Sequence, residues 1–320
     1  MSLYNPTLSE LGNVMSFMRK LYNSLSLLRS ISCWVVSIVV LSVVLQATMS
    51  LSVAAQSQLM TTNVSYAPKG RPPLTPGQGQ NRVMMSAPSS NGYCQGGVCY
   101  YENNMVAYDF TATGATVKLT QAKPTVSSRD YHSLVELAVE SADDQQIVEF
   151  GWIVAPDVNG DSLPHLFVYH WVNGQSTCYN GCGFVPTSLT YKAGGLIKEN
   201  SVGTYTINYV GNKWVIYYNG TELGYFPESL WKGSFTSTQA VQAFGEIASP
   251  STTKPLSQMG NGVVGTSAKS ATMSGFSVIG SNEAPTLIYE DVQAPAVYKM
   301  GRYNTACTNE CGMGFGGPGY

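Results

Sequence analysis

Two apolar, strand-like segments each carry one glutamate where a sheet would normally place an apolar residue: Ile147-Val148-Glu149-Phe150-Gly151-Trp152-Ile153-Val154 and Val241-Gln242-Ala243-Phe244-Gly245-Glu246-Ile247-Ala248. With only 19 acidic residues in 320, these two stand out. A carboxylate in such a setting must be solvated in a groove, hydrogen-bonded, or used in chemistry. Paired carboxylates are useful because burial and mutual repulsion separate their pKa values, leaving one protonated while the other is ionised. The ionised member can activate water, and the protonated one can donate to a carbonyl oxygen or a leaving group. Such a pair titrates as a unit and favours acidic pH. On patterning alone, exposed and salt-bridged strand residues remain the commoner reading of these glutamates.

The strands must aim the side chains. Alternation puts Val148, Phe150, Trp152 and Val154 on one face, toward a core, and Glu149 on the other with Ile147, Gly151 and Ile153. In the second segment Gln242, Phe244, Glu246 and Ala248 share a face. If both faces line one groove, two carboxylates and an amide meet there. Gly151 leaves room beside Glu149 for another backbone or a ligand. Further runs rich in β-branched and aromatic residues predict strands at Leu134–Val139, Leu166–Val172, Thr204–Val210, Trp214–Tyr218 and Thr272–Ile279. Asn173-Gly174, Asn219-Gly220 and Gly211-Asn212 read as two-residue hairpin turns. No amphipathic helix is evident in this region. Many short strands with regular turns predict an all-β, antiparallel sandwich.

Composition narrows the class. Charged residues are 11% of the chain and the formal net charge is −2, with no long basic run, so nothing supplies affinity for nucleic acid. Arg19, Lys20 and Arg29 precede an apolar stretch from Ile31 to about Leu45, and small residues end at Ala54-Ala55. This reads as a signal peptide over 1–55, cleaved near Ala55, and predicts a secreted protein; an uncleaved, membrane-tethering anchor is the alternative. Residues 56–95, rich in Pro, Gly and Ser, read as a linker or short leader, and 96–320 as the β domain. Cys33 lies in the signal core. The remaining cysteines form close pairs, Cys94/Cys99, Cys178/Cys182 and Cys307/Cys311, and an even number in an exported chain suggests disulfides, with local bridges the simplest of the pairings left open. Their spacings, and those of His132, His165 and His170, do not suit zinc. No metal and no cofactor are expected.

Several motifs, in order, resemble the neprosin family of glutamic peptidases. Glu149-Phe150-Gly151-Trp152 is similar to the family's Glu-x-Gly-Trp. Leu166-Phe167-Val168-Tyr169, Cys178-Tyr179-Asn180 with Cys182, and Gly183-Phe184-Val185 follow. Then come Gly224-Tyr225-Phe226-Pro227-Glu228-Ser229-Leu230, Phe244-Gly245-Glu246-Ile247, Met259-Gly260-Asn261-Gly262 and Gly316-Gly317-Pro318-Gly319. The resemblance covers about 130 to 320. It implies a jelly-roll or concanavalin-like sandwich with a surface groove on one sheet, and endopeptidase activity at acidic pH, with a preference for cleaving after proline in the plant members. Glu149 and Glu246 occupy the two matching catalytic positions, with Glu149 expected as base and Glu246 as acid. Gln242, Trp152, Tyr169 and Tyr225 are the candidate substrate-binding residues. The implied partner is a peptide or protein, proline-rich in the family's manner, met by a monomer; no nucleic acid is implied, and no membrane unless the signal is retained. Two departures bear on specificity: Phe-Gly-Glu replaces the family's Trp-Gly-Gly-Glu, and the Cys178/Cys182 loop is shortened. Removal of residues 56–95 is one route to activation, though the segment is too short for the folded activation domain of plant members.

Other constellations are weaker. Asp143-Asp144 and Asp157-Val158-Asn159-Gly160-Asp161 are similar to calcium-loop fragments, but no glutamate closes an EF-hand loop, and turn formation explains them better. His170 alternates with Val168 and Val172 and reads as a packing residue. No Gly-x-Ser-x-Gly elbow is present. Tyr205, Tyr209, Tyr217 and Tyr218 could line a groove for a proline-rich or carbohydrate ligand, although strand propensity also explains them. Two alternatives to the peptidase follow: a non-catalytic sandwich binding carbohydrate or cell-wall polymer, and a glycoside hydrolase using two carboxylates.

Overall fold

A computed structural model describes residues 93–95, 97–292, 296–302 and 311–320. The expected signal segment, nearly all of the 56–95 leader and Cys307 of the Cys307/Cys311 pair therefore lie outside the described residues. The described residues form two antiparallel, eight-stranded sheets. The first runs in the order β1 (Tyr93–Gln95), β2 (Val98–Tyr108), β12 (Ala240–Pro250), β4 (His132–Glu140), β5 (Ile147–Val154), β6 (His165–Val172) and β7 (Gln175–Ser176), with β14 (Thr286–Val292) also paired to β2. The second runs β15 (Gly301–Arg302), β16 (Cys311–Phe315), β13 (Ala271–Ile279), β3 (Gly114–Gln121), β9 (Ser201–Tyr209), β10 (Lys213–Tyr218), β11 (Thr221–Pro227) and β8 (Val185–Pro186). The expected all-β sandwich is what the chain forms.

The turns follow from local chemistry. Asn173-Gly174, Gly211-Asn212 and Asn219-Gly220 all have positive φ at both positions, the conformation that matches the twist of a two-residue hairpin. They join β6 to β7, β9 to β10 and β10 to β11. The only α-helical element among the described residues is the four-residue α1 (Pro156–Asn159), closed by Gly160 at φ 80°. Cys94 and Cys99 face each other across the β1–β2 hairpin and are disulfide-bonded, as are Cys178 and Cys182.

The core lies between the sheets. Val148, Phe150, Trp152 and Val154 of β5 join Val135, Leu137 and Val139 of β4 and Val241, Ala243 and Ile247 of β12. Across from them, Tyr205, Trp214, Tyr218 and Phe226 project from the second sheet, and the Phe150 and Tyr205 rings lie 4.9 Å apart. Burying side chains of this size contributes about 1.5–3 kcal/mol each. Gly245 has a packing reason: a Cβ there would lie 2.7 Å from the Phe315 ring of the second sheet.

Two sequence expectations change here. Tyr205 and Tyr218 are not groove residues; they are core residues whose hydroxyls accept from Gln121 Nε2. At the centre of the first sheet both faces are covered: every residue of β4 and β5 is buried. The glutamate-bearing face of these strands is therefore not the open groove the resemblance implies. Among the described residues Tyr179, Val158 and Tyr131 pack onto it.

Candidate active site

The register of the first sheet decides how its acids meet. Residues paired directly across an antiparallel ladder point to the same face. Glu149 pairs with Ala138, and Ala138 with Gln242. Glu246 pairs with Leu134, which pairs with Ile153. The two expected glutamates thus share the outer face but are not directly opposite. Between them sits Glu136, paired with Gly151 on one side and Phe244 on the other. Glu149, Glu136 and Glu246 form a diagonal across β5, β4 and β12, one strand over and one same-face step along each time. Diagonal neighbours of this kind lie within reach of long side chains, at about 7–8 Å. All three are completely inaccessible to solvent.

Gly151 makes the diagonal possible. A Cβ built on it would lie 2.1 Å from the Val135 carbonyl oxygen and 2.7 Å from both Cα and Cβ of Glu136. Only glycine lets β5 approach β4 where Glu136 emerges.

Each glutamate has its own environment. Trp171 donates its indole N–H to Glu149 Oε1 at 3.0 Å, while Glu149 Oε2 has no hydrogen-bond partner. Burial holds the Glu149 carboxyl well above the ordinary range and the charge of Glu246 pushes it further; the Trp171 bond pulls the other way, and Glu140 adds a smaller push. Glu136 is raised well above the ordinary range too, first by burial and then by Glu149, Glu246, Glu102 and Glu140. Neither of its carboxyl oxygens makes a hydrogen bond among the described residues. Among the described residues no lysine or arginine acts on either carboxyl.

Glu246 is held differently. His132 Nε2 lies 2.8 Å from Glu246 Oε1, and both side chains are inaccessible. Burial lowers the His132 pKa to about 3, against a weaker opposing pull from Asp130, so the ring is neutral. Its proton is assigned to Nε2, which donates to Glu246, because a proton on Nδ1 would be a buried donor with no acceptor. Asp130, two residues earlier, accepts from the backbone N–H groups of Leu256 and Ser257 at 2.8 and 2.7 Å, anchoring the start of β4.

Gln242 is on the same face and in register with Glu149 rather than beside Glu246. It accepts from Asn104 Nδ2 and donates to Glu140 Oε1. That network fixes its amide and gives it a structural task. Tyr169 pairs directly with Glu149 in the ladder, and its hydroxyl is held above the ordinary tyrosine range by burial and by the Glu149 charge. Tyr179, at the tip of the Cys178–Cys182 loop, packs its ring 4.9 Å from that of Tyr169. Its hydroxyl is raised by burial, then by Tyr169, Glu246 and Glu136. The loop is docked by Asn180, whose N–H donates to the Val168 carbonyl at 3.0 Å while its side-chain oxygen accepts from Val168 N–H at 3.1 Å. Tyr179 therefore lies over the diagonal.

Two candidate substrate-binding residues do not belong here. Trp152 points into the sandwich core, where its indole donates to the Thr120 carbonyl at 3.1 Å. Tyr225 lies in β11 of the other sheet under the Lys213 ammonium, 4.3 Å from its ring centroid. Alternation sends Trp152 to the opposite face from Glu149, and Tyr225 sits in the opposite sheet. His170 packs against Phe226 and Trp231, with ring centroids at 4.7 and 5.5 Å. Asp161 accepts from Leu163 N–H at 2.8 Å and pairs with His165 Nε2 at 2.9 Å, a turn-closing role.

Sequence reasoning missed Glu136 and His132. Glu136 meets the criterion that singled out Glu149 and Glu246, an acid inside the apolar run Leu134-Val135-Glu136-Leu137-Ala138-Val139. His132 carried no local signal, since its partner is 114 residues away.

Residues 129–318 match the family model described as Neprosin. Similar solved structures include Scytalido-glutamic peptidase with a peptide-based transition-state analogue, 10% identical, covering 68% of this chain and 97% of that one at a TM-score of 0.36. SCP-B, a member of the Eqolisin family of peptidases, in complex with the tripeptide Ala-Ile-His is 8% identical over 68% and 97% at 0.33. Chicken galectin 2 is 10% identical over 45% and 90% at 0.26. At these identities and scores the likenesses say nothing about this chain's chemistry.

Proposed function

The chain belongs to the Neprosin family, and from that premise we propose that it is an exported glutamic endopeptidase in which Glu246 is the general base and Glu149 the general acid. The observation that carries this reading is the unequal setting of two inaccessible carboxyls on one sheet face. Each accepts one neutral N–H, Glu246 from His132 and Glu149 from Trp171, but among the described residues Glu149 Oε2 is left without a partner, a setting in which the shared proton is better held by Glu149. Glu149 is driven toward its protonated form by burial and by the Glu246 charge. This reverses the order expected from the sequence, in which Glu149 was the base.

In the proposed reaction Glu246 takes a proton from water as the water oxygen bonds to the scissile carbonyl carbon, and the carbonyl electron pair moves to oxygen. The Glu149 carboxyl then protonates the amide nitrogen as the C–N bond breaks and the carbonyl re-forms. The proton on Glu246 returns to Glu149, which restores the starting state. The Trp171 indole keeps Glu149 oriented through the cycle. Because all three carboxyls are inaccessible, substrate needs the cover over this face to shift, and the Tyr179 loop is part of that cover. In this reading the substrates are extracellular peptides, with proline before the cut bond as in the plant members of the family.

The test is incubation of the purified protein with proline-containing peptides from about pH 3 to about pH 7, beside Glu149→Gln and Glu246→Gln. Cleavage at acidic pH that falls by about 10²–10⁴-fold in each variant supports the reading. No cleavage by the wild type, or full cleavage by both variants, sinks it. Release of sugars from glycans, lost in the same variants, would reassign the dyad to glycoside hydrolysis.

A further inference from the structure

Glu136 is the one carboxyl on the diagonal that the reaction above leaves unused. Its side chain is 0% exposed, yet among the described residues neither oxygen has a hydrogen-bond partner. Buried polar groups in folded proteins are rarely left this way without a functional reason. A structural acid would have been given donors, as Glu149 has Trp171, Glu246 has His132 and Glu140 has Gln242. Glu136 also has the middle place, with Glu149 one diagonal step to one side and Glu246 one step to the other. Its approach is built, since Gly151 is the residue whose missing side chain clears it.

Resting on the peptidase reading, we propose that Glu136 is a third catalytic residue, whose neutral carboxyl O–H donates to the oxygen of the scissile carbonyl as negative charge develops there. The order along the diagonal then matches the order of the reacting atoms: base and water at Glu246, carbonyl oxygen at Glu136, leaving nitrogen at Glu149. Glu136 gives up no proton in this role; it only holds a hydrogen bond that strengthens as the carbonyl π pair moves onto oxygen. The groups facing it explain why the proton stays on. Glu149 from β5, Glu246 from β12, Glu102 from β2 and Glu140 from its own strand all disfavour a further negative charge, and the facing Tyr179 supplies no cation. A carboxylic acid kept neutral by its site is a known type of oxyanion donor.

The experiment compares Glu136→Gln and Glu136→Leu in the full chain, with Glu149→Gln and Glu246→Gln alongside and melting temperatures for all. Glutamine keeps an N–H donor of similar shape; leucine keeps the volume and removes the donor. The expected result is a Gln variant within a few-fold of wild-type kcat, and a Leu variant folded but reduced about 10²–10³-fold in kcat with little change in KM. A fully active Leu variant overturns the proposal, as does a Gln variant damaged as severely as Leu at unchanged melting temperature. If the Leu variant fails to fold, Gln against Glu136→Ala decides by the same criterion, since alanine removes the donor without adding bulk. Full activity in Glu149→Gln and Glu246→Gln would instead sink the underlying dyad, so the two failures are distinguishable.

Discussion

His132 Nε2 and Glu246 Oε1 lie 2.8 Å apart with both side chains wholly buried, and the bond is one between a neutral imidazole and a carboxyl rather than an ion pair. Replacing His132 takes an N–H donor away from a buried carboxyl oxygen, at a cost of about 1–3 kcal/mol. In His132→Phe, kcat/KM is expected to fall about tenfold or more, and the acidic limb of its pH profile to move to higher pH, because a donor to the charged form has gone. His132→Gln, which keeps an N–H, should recover much of the loss. Unchanged pH profiles in His132→Phe would remove His132 from the mechanism.

Trp171 does the corresponding job for the other carboxyl. Its N–H to Glu149 Oε1 opposes the upward push of burial, so Trp171→Phe should let Glu149 hold its proton to still higher pH. The expected outcome is a basic limb displaced upward, with kcat lower because the acid is no longer oriented. Stability should drop by about 1 kcal/mol for the lost bond. A basic limb that stays in place would show that Glu149 is not the group titrating there.

Gly151→Ala tests the approach of the two strands. The added methyl has no room against the Val135 carbonyl and the Glu136 backbone. Overpacking of this kind costs about 1–3 kcal/mol, which is several degrees in Tm for a domain of this size. The measurement is thermal unfolding by circular dichroism; an unshifted Tm would mean the strands separate without penalty.

Glu136 ties stability to pH with a definite sign. Its folded-state pKa is raised above the ordinary carboxylate value, so its contribution is fully present below about pH 4.3 and is lost as pH rises through the folded-state value. His132 and His170 act in the opposite sense: their pKa values fall to about 3 and about 4, so their contribution is present above about pH 6.5 and fades as pH falls toward those values. Both histidines remain in Glu136→Gln and cancel in a comparison with wild type. The Tm of Glu136→Gln relative to wild type should therefore climb as pH is raised from about 4 to about 8. Parallel Tm curves would show that Glu136 does not titrate in that window.

Much of the architecture was legible because it rests on local rules. The period of two in Val148, Phe150, Trp152 and Val154 assigns those residues to a core wherever the strand goes, and the same alternation puts Glu149 on the other face. Asn-Gly and Gly-Asn pairs select positive φ from their own chemistry, so the three hairpins could be placed before any strand partner was known. The site was legible only in part. Glu149 and Glu246 were found as misplaced acids within their own segments, and the sequence also carried Glu136 by the same criterion. Tyr225 was misjudged because a shared motif series does not say which sheet a side chain enters, and Trp152 was carried over with its motif although its own alternation already placed it in the core. Tertiary structure alone decided that β4 lies between the two glutamate strands, in the register that sets Glu136 on their diagonal. It also decided that His132 meets Glu246, that Gln242 is committed to Asn104 and Glu140, and that the outer face is covered. Strand order and register depend on contacts between segments more than a hundred residues apart, and no local period encodes them. That long-range pairing is also what turns scattered acids into a desolvated cluster whose members shift one another's protonation.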